Sequence, residues 1–303
     1  MFLLICLTKD VKCVNRLPML QMTIAMAIFG SIGFFTVKTG IPAVELVFVR
    51  CICATVFLGS LWLISGLHKV EVWQKREVVQ TIVCGIFLVL NWVFLFKAFE
   101  VMSITITITL YNLAPIFVLI IGSLFLKEKM TLTSILAIVT CFLGSIFIIG
   151  VHNFNSLTDF VSSGFGWAIL SAICFAMTML LGKGITQLSA YAMTFVQTSI
   201  GILMLFPFMN FSVFIGLTDS NWFYIIGTGL IHTGFVYYLF FNSLRKLSTV
   251  VISALVFVDP VVAILLDIIL LDFKPSMLQT IGILLVFSGI VYTIIRQEKE
   301  VVE

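Results

Sequence analysis

Residues 77–97 read EVVQTIVCGIFLVLNWVFLFK, and no charged side chain lies between Glu77 and Lys97. At 1.5 Å of rise per residue, an apolar helix of this length matches the roughly 30 Å thickness of a bilayer's hydrocarbon layer. A backbone in lipid must satisfy its own hydrogen bonds, so a run of this kind is expected to be a helix. The stretch therefore predicts a transmembrane span.

The same pattern recurs along the whole chain. Its 303 residues are 61% hydrophobic and 10% charged, with a mean hydropathy of +1.22, whereas soluble domains carry about 25% charged residues. Apolar runs between charge clusters predict ten spans, at about 18–38, 42–65, 77–97, 102–126, 131–150, 162–182, 188–210, 221–243, 248–271 and 276–295. The predicted fold is an all-α integral membrane protein.

The distribution of basic residues predicts an orientation. With the N-terminus inside, the inner connectors and tails collect 13 Lys and Arg, and the outer connectors collect only Lys38, Lys97 and Lys274. Basic segments stay cytoplasmic, so the protein is predicted to lie in the cell (inner) membrane with both termini on the cytoplasmic side. Residues 1–17 and 296–303 form the two tails. The short connectors leave no room for a soluble active site.

An internal repeat emerges when each residue is compared with the one 145 positions later. The identical pairs are Lys38/Lys183, Phe96/Phe241, Ser103/Ser248, Pro115/Pro260, Lys129/Lys274 and Gly144/Gly289. Residues 18–150 and 162–295 thus form two units of five spans. Because five is odd, the second unit must be inserted upside down relative to the first. Inverted repeats are typical of secondary transporters that bind substrate near the midplane.

Several short motifs occur in a characteristic order and spacing. They are Phe29-Gly30-Ser31 followed by Lys38, Arg50-Cys51-Ile52-Cys53-Ala54, the stretch from Ala98 through Pro115 to Leu126-Lys127-Glu128-Lys129, and the glycines Gly144 and Gly289. In this order the chain resembles the EamA family of the drug/metabolite transporter superfamily over about residues 19–295. The resemblance implies ten helices in two inverted five-helix repeats and export of small metabolites such as amino acids.

The sequence departs from the family pattern in two places. The second repeat ends in Asp272-Phe273-Lys274 without the family's glutamate, and Asp259 and Asp267 place charge in the ninth span.

Four charged residues lie inside the predicted spans: Glu45, Arg50, Asp259 and Asp267. A charged side chain at a helix centre costs at least about 2.5 to 3.5 kcal/mol, so each should face the bundle interior, a partner or water. Arg50 has the planar fork that clamps a carboxylate. Alternatively, it is a structural arginine bonded to backbone carbonyls or to Glu45.

Asp259 precedes Pro260, which is equivalent to Pro115 in the first repeat. Each proline removes a backbone hydrogen bond and is predicted to interrupt its helix. A carboxylate at such an interruption is a candidate proton or cation site. The alternative is that Asp259 only satisfies local backbone groups at the kink.

These residues combine into a predicted site. The candidates for substrate binding are Arg50, Trp92, Tyr111, Asn112, Tyr237 and Asp259, and those for coupling or gating are Glu45, His232, Pro115 and Pro260. A zwitterion would offer its carboxylate to Arg50 and its ammonium to Asp259. A lone histidine on an apolar face, such as His232, is more often a packing residue than a ligand. Asn112 could link helices instead of lining the site, since interhelical hydrogen bonds in membranes are worth only about 0.6 kcal/mol on average.

The motif search narrows the function class. The chain has no GxxxxGK[ST] and no HExxH motif, which argues against an ATP-driven pump and a metalloprotease. No cofactor or metal site is predicted, and the scattered basic residues argue against nucleic-acid binding. The predicted function is a secondary-active exporter of small polar metabolites working by alternating access, as a monomer or homodimer, with proton coupling as one option. The rivals are an integral-membrane enzyme acting on a lipid or small molecule, and a receptor or scaffold, which would not need charges at midplane depth.

The predicted topology can be tested by labelling. On a cysteine-free background, Asn155→Cys in the predicted outer connector 152–160 should react with a membrane-impermeant thiol reagent added outside intact cells. Reaction from the cytoplasmic side alone would contradict the inverted arrangement.

Overall fold

The structure is a computed structural model that describes residues 16–102, 104–125, 132–149, 164–247, 249–256, 258–270 and 274–300. Its α-helices are α1 Arg16–Phe29, α2 Ile32–Thr39, α3 Ala43–Ile64, α4 Lys75–Val101, α5 Ile104–Tyr111, α6 Ala114–Phe125, α7 Leu132–Ile149, α8 Phe165–Lys183, α9 Ala190–Leu205, α10 Asp219–Gly227, α11 Val236–Leu244, α12 Thr249–Val256, α13 Val258–Leu270 and α14 Met277–Glu300. Short 3-10 turns span Leu67–Lys69, Phe206–Phe208 and Phe211–Phe214, and a π-helical segment spans Thr228–Phe235. The described ranges contain no β-strand, which confirms the all-α prediction for them.

Six helical stretches are long and apolar enough to cross a bilayer. They are Leu17–Thr39, Ala43–Ile64, Lys75–Val101, Phe165–Lys183, Ala190–Phe208 and Asp219–Leu244. The protein is therefore a multi-pass membrane protein. The remaining four predicted spans fall on α5 with α6, on α7, on α12 with α13, and on α14. The total of ten spans stays a prediction.

The connectors group at two ends of the bundle. At one end the amide of Ser189 donates to Glu71 (3.0 Å), which joins connectors 65–74 and 184–189. At the other, the Asn221 side chain donates to the carbonyl of Lys38 (3.2 Å), and the amide of Asn210 donates to Glu45 (3.3 Å). This grouping matches the alternation of inner and outer connectors read from the sequence. Which end faces the cytoplasm stays a prediction.

The helices pack in pairs that follow the internal repeat. Helix α4 packs on α8 and α1 packs on α11, and these two contacts are equivalent under the 145-residue shift; α3 packs on α9, and α7 on α14. The shift also relates Trp92 to Tyr237, and the indole of Trp92 donates a hydrogen bond to the Tyr237 hydroxyl (2.6 Å). Equivalent residues of the two units thus meet in the interior, as expected at a two-fold axis.

The first of the repeat-related prolines lies at the start of a helix. Helix α5 ends at Tyr111 and α6 begins at Ala114, so Pro115 lies in the first turn of α6. A first-turn proline costs little because its missing N–H would have no helical partner. Pro115 therefore marks a helix start rather than a kink within a continuous helix. Residue 257, between α12 and α13, lies outside the described residues, so the predicted interruption at Pro260 stays a prediction.

The first predicted span is interrupted between α1 and α2, where Gly30 allows a close backbone approach. A Cβ atom at this position would lie 2.6 Å from the carbonyl oxygen of Asp259 and 2.7 Å from the Cβ of Val262. Any larger residue would have to push α1 away from α13.

We expect Gly30→Ala to lower the melting temperature of the detergent-purified protein, because backbone atoms of α13 cannot move aside as a flexible side chain would. The matched control is Gly166→Ala in α8, where an added Cβ would meet nothing within 4 Å. Equal melting temperatures for the two variants would contradict the close packing of α1 on α13.

Candidate functional site: a cavity between the repeats

A cavity lies between the two repeat units in the interior of the bundle. It is lined by Phe29, Ile32, Trp92, Leu95, Phe96, Ile108, Tyr111, Tyr237 and Asp259. About 20 Å³ is open to the centre of a water molecule, which is room for roughly one water. The surrounding side chains thus leave little empty space inside the cavity.

Trp92 and Tyr237 reach the cavity from opposite ends of the bundle. Trp92 is nine residues, or about 14 Å, before the end of α4 at Val101, the predicted outer end. Tyr237 is seven residues, or about 10 Å, before the end of α11 at Leu244, the predicted inner end. The two repeat-related residues therefore place the cavity at an intermediate depth.

Asp259 provides the cavity's carboxylate. Its side chain is 5% exposed, and its Oδ1 atom has no hydrogen-bond partner in the part of the chain that the structure describes. The alternative reading, in which Asp259 serves only the local backbone, leaves that oxygen unexplained. A buried carboxylate oxygen without a partner is costly, and an amine or a proton would compensate it.

Aromatic rings form the wall around this carboxylate. The Tyr237 ring meets Trp92 and Phe29 edge to face, with centroids 5.0 Å apart in each pair. On the other side, Tyr111 stacks on Phe175 at 4.9 Å. The electron-rich faces of such rings attract cations within about 6 Å. Together with Asp259, the wall favours a positively charged group.

Arg50 lies behind the wall instead of lining the cavity. Its guanidinium carbon is 5.0 Å from the Trp92 ring centroid and 4.7 Å from that of Phe96. Its Nε atom donates to the hydroxyl of Thr233 (2.8 Å). The side chain is fully buried, and neither Nη atom has a hydrogen-bond partner among the described residues. The predicted alternatives of bonding to Glu45 or to backbone carbonyls are therefore not observed.

Local backbone geometry explains how Thr233 reaches Arg50. Thr233 lies in the π-helical segment Thr228–Phe235, and its hydroxyl donates to the Thr228 carbonyl five residues back (3.1 Å). Gly229 brings this segment against α3, because a Cβ there would lie 2.5 Å from that of Cys53. Widened turns of this kind occur frequently at functional sites.

The other predicted residues lie outside the cavity lining. Glu45 is 6% exposed and accepts from the Asn210 amide near the predicted outer end. The Nε2 atom of His232 is 2.9 Å from the Ser31 hydroxyl. Asn112 is buried and donates to the Ile108 carbonyl (2.6 Å). Pro260 is buried beside Asp259, whereas the Pro115 side chain lies outside what the structure describes.

Sequence reasoning missed Ser31 and Thr233, the partners of His232 and Arg50, and the lining residues Phe29 and Phe96. The small polar residues carry no distinctive signal in a helix. Phe29 is one of 30 phenylalanines in the chain. Across the described ranges, no group of three or more His, Cys, Asp or Glu side chains is placed to hold a metal ion.

The profile of the EamA-like transporter family matches residues 16–150 and again residues 162–295. The chain belongs to the EamA-like transporter family. The two matches have nearly the same spacing as the repeat read from the sequence, and they confirm the resemblance to EamA proteins. They also indicate that the chain is a membrane transporter rather than an enzyme.

Two relatives and one solved structure extend this comparison. The chain is 52% identical over 279 residues to the "Uncharacterized transporter YxxF" of Bacillus subtilis (strain 168), covering 92% of this chain and 90% of that one. It is 29% identical over 192 residues to an "Uncharacterized transporter" of Archaeoglobus fulgidus, covering 61% and 66% respectively. A crystal structure that is 16% identical superposes with a TM-score of 0.73 over 91% of this chain and 95% of that one, which shows a shared fold.

The environment of Arg50 predicts an unusual response to mutation. Arg50→Met keeps a long apolar side chain against Trp92 and Phe96, gives up the cation–π contacts, and removes a buried cation whose Nη atoms have no partner among the described residues. Replacing even a buried ion pair by apolar residues is often neutral or stabilising by about 1 to 4 kcal/mol, and Arg50 bears the cost of burial without a bonded carboxylate. We expect an unchanged or higher melting temperature in detergent.

Arg245→Met is the matched control, because the Arg245 guanidinium bonds the carbonyls of Phe241, Ile185 and Leu188. This variant should lower the melting temperature. A similar loss in Arg50→Met would mean that Arg50 is retained to hold the fold together.

Proposed function

We propose that this EamA transporter exports small metabolites that carry an amino group, with amino acids as the main class, by alternating access around the cavity. In this proposal ten spans form two inverted five-helix repeats in the cell membrane, with both termini cytoplasmic. The meeting of Trp92 and Tyr237, equivalent residues of the two units, supports a site between moving halves.

The observation that carries the substrate class is Oδ1 of Asp259, which lies in an aromatic cavity and has no hydrogen-bond partner among the residues that the structure describes. An ammonium group would donate to this oxygen and face the rings of Trp92, Tyr111 and Tyr237. Charge-assisted hydrogen bonds are about twice as strong as neutral ones, and cation–π contacts add about 0.5 to 2 kcal/mol. Export or exchange would follow if a proton replaces the amine on Asp259 during the return step.

Arg50 extends the proposal to zwitterions. Its Nη atoms have no partner in the described part of the chain, and the guanidinium lies against the rings of Trp92 and Phe96. A shift of either ring would let a substrate carboxylate reach the guanidinium. The present cavity, with room for one water, is then the closed form, and substrate entry requires these rings to move.

Counterflow in liposomes with three matched compounds tests the substrate class. They are an aromatic amino acid, the amine that lacks its carboxylate and the acid that lacks its amino group. We expect the amino acid to exchange fastest and the amine more slowly, because the amine leaves Arg50 unpaired. The acid should fail, because it brings a carboxylate towards Asp259.

Asp259→Asn should reduce exchange of the amino acid and the amine by at least about tenfold per inserted molecule, since truncating one partner of a buried charge pair costs about 2 to 5 kcal/mol. The control is Asp267→Asn, a buried aspartate on the same helix that does not line the cavity. Full transport by Asp259→Asn, or exchange of the acid alone, would refute the proposal.

A further inference from the structure

At the predicted cytoplasmic end of the bundle, two carboxylates that the transport proposal does not use bond the connector before α9. We call Glu71, Glu77 and residues 186–189 the carboxylate clamp. Glu77 accepts hydrogen bonds from the amides of Thr186 (3.0 Å), Gln187 (3.0 and 3.1 Å) and Leu188 (3.2 Å), and from the Thr186 hydroxyl (3.2 Å).

Glu71 completes the clamp. It accepts from the amide of Ser189 (3.0 Å) and from the Ser189 hydroxyl, and the indole of Trp62 donates to it (3.0 Å). The two carboxylates thus accept hydrogen bonds from four successive backbone amides, 186 to 189. These amides lead into α9, which begins at Ala190, and negative charge at a helix N-terminus is favourable.

The clamp joins the two repeat units across this end. Glu71 and Glu77 belong to the first unit, and residues 186–189 belong to the second. Ile185 and Leu188 are fully buried, so the connector packs into the core of the bundle. Arg245, also in the second unit, donates a hydrogen bond to the Leu188 carbonyl and holds the connector in place.

The opposite end has a smaller counterpart. There the amide of Ala43, at the start of α3, donates to Glu100 (2.7 Å). Ala43 and Leu188 are equivalent under the 145-residue shift. Among the described residues at this end, Glu100 and Glu45 each bond one amide, whereas two carboxylates bond four amides at the clamp.

We propose that Glu71 and Glu77 are gate residues, whose hydrogen bonds to residues 186–189 keep the predicted cytoplasmic end closed and must break before the cavity opens there. The proposal rests on the alternating access of the proposed function but not on the substrate class. Its test uses no substrate, so its failure and that of the substrate proposal are distinguishable.

The test measures the opening directly in full-length protein in lipid nanodiscs. Spin labels at Val70→Cys and Gln187→Cys, both exposed and on either side of the clamp, report the distance by pulsed electron resonance on a background without native cysteines. The double variant Glu71→Gln/Glu77→Gln keeps the side-chain shapes and removes both charges. We expect the ratio of long to short distances to rise by about tenfold or more, since charge-assisted hydrogen bonds are replaced by neutral ones.

Glu100→Gln is the control, because it removes a carboxylate-to-amide bond from the other end, within the first unit. It should leave the Val70–Gln187 distances unchanged. If the double variant does not insert, Glu71→Gln alone should give a smaller shift in the same direction.

A second readout uses the native thiol of Cys84. This thiol is buried between α4, α8 and α9, where it contacts the Thr178 carbonyl and the Gln197 side chain. With the other cysteines replaced, its labelling from the cytoplasmic side should accelerate in the clamp variants. Wild-type distances and labelling rates in an inserted clamp variant, or equal widening in Glu100→Gln, would overturn the proposal.

Discussion

The hydrogen bond from the Trp92 indole to the Tyr237 hydroxyl joins equivalent residues of the two repeats where their helices meet. In a low-dielectric interior such a bond satisfies two polar groups that would each be costly unpaired. The same two rings form a wall of the cavity, and Arg50 stacks behind Trp92. Asp259 lines the same cavity, whereas Arg50 does not.

Much of the architecture was predictable because lipid allows few solutions. Apolar runs of about 20 residues must be helices, and the 145-residue repeat already related Trp92 to Tyr237. The side-chain directions were not predictable. The sequence gives the depth of Arg50 along α3, but the rotation of α3 about its axis, which places Arg50 behind the aromatic wall, depends on packing. The Thr233 partner required the π-helical segment, which depends on the approach of Gly229 to Cys53. Asp259 was identified because a carboxylate in an apolar run is rare.

The repeats have diverged at the ends of the bundle while keeping a shared centre. Glu100 and Arg245 are equivalent under the shift, yet one binds an amide and the other binds carbonyls. In the proposed alternating-access cycle, such differences would give the two closed ends different stabilities. A ligand shifts the balance between two states only through its different affinity for them. The proposals therefore assign this balance to the clamp and to Asp259.

The proposed contact between Asp259 and an amino group inside the aromatic cavity can be observed in a structure of the protein with a bromine-labelled aromatic amine, because anomalous scattering locates the bromine without ambiguity. We expect the bromine among Phe29, Trp92 and Tyr237, and the amine nitrogen about 2.7 to 2.9 Å from Asp259 Oδ1. A bound ligand elsewhere in the bundle, or one whose amine points away from Asp259, would contradict it.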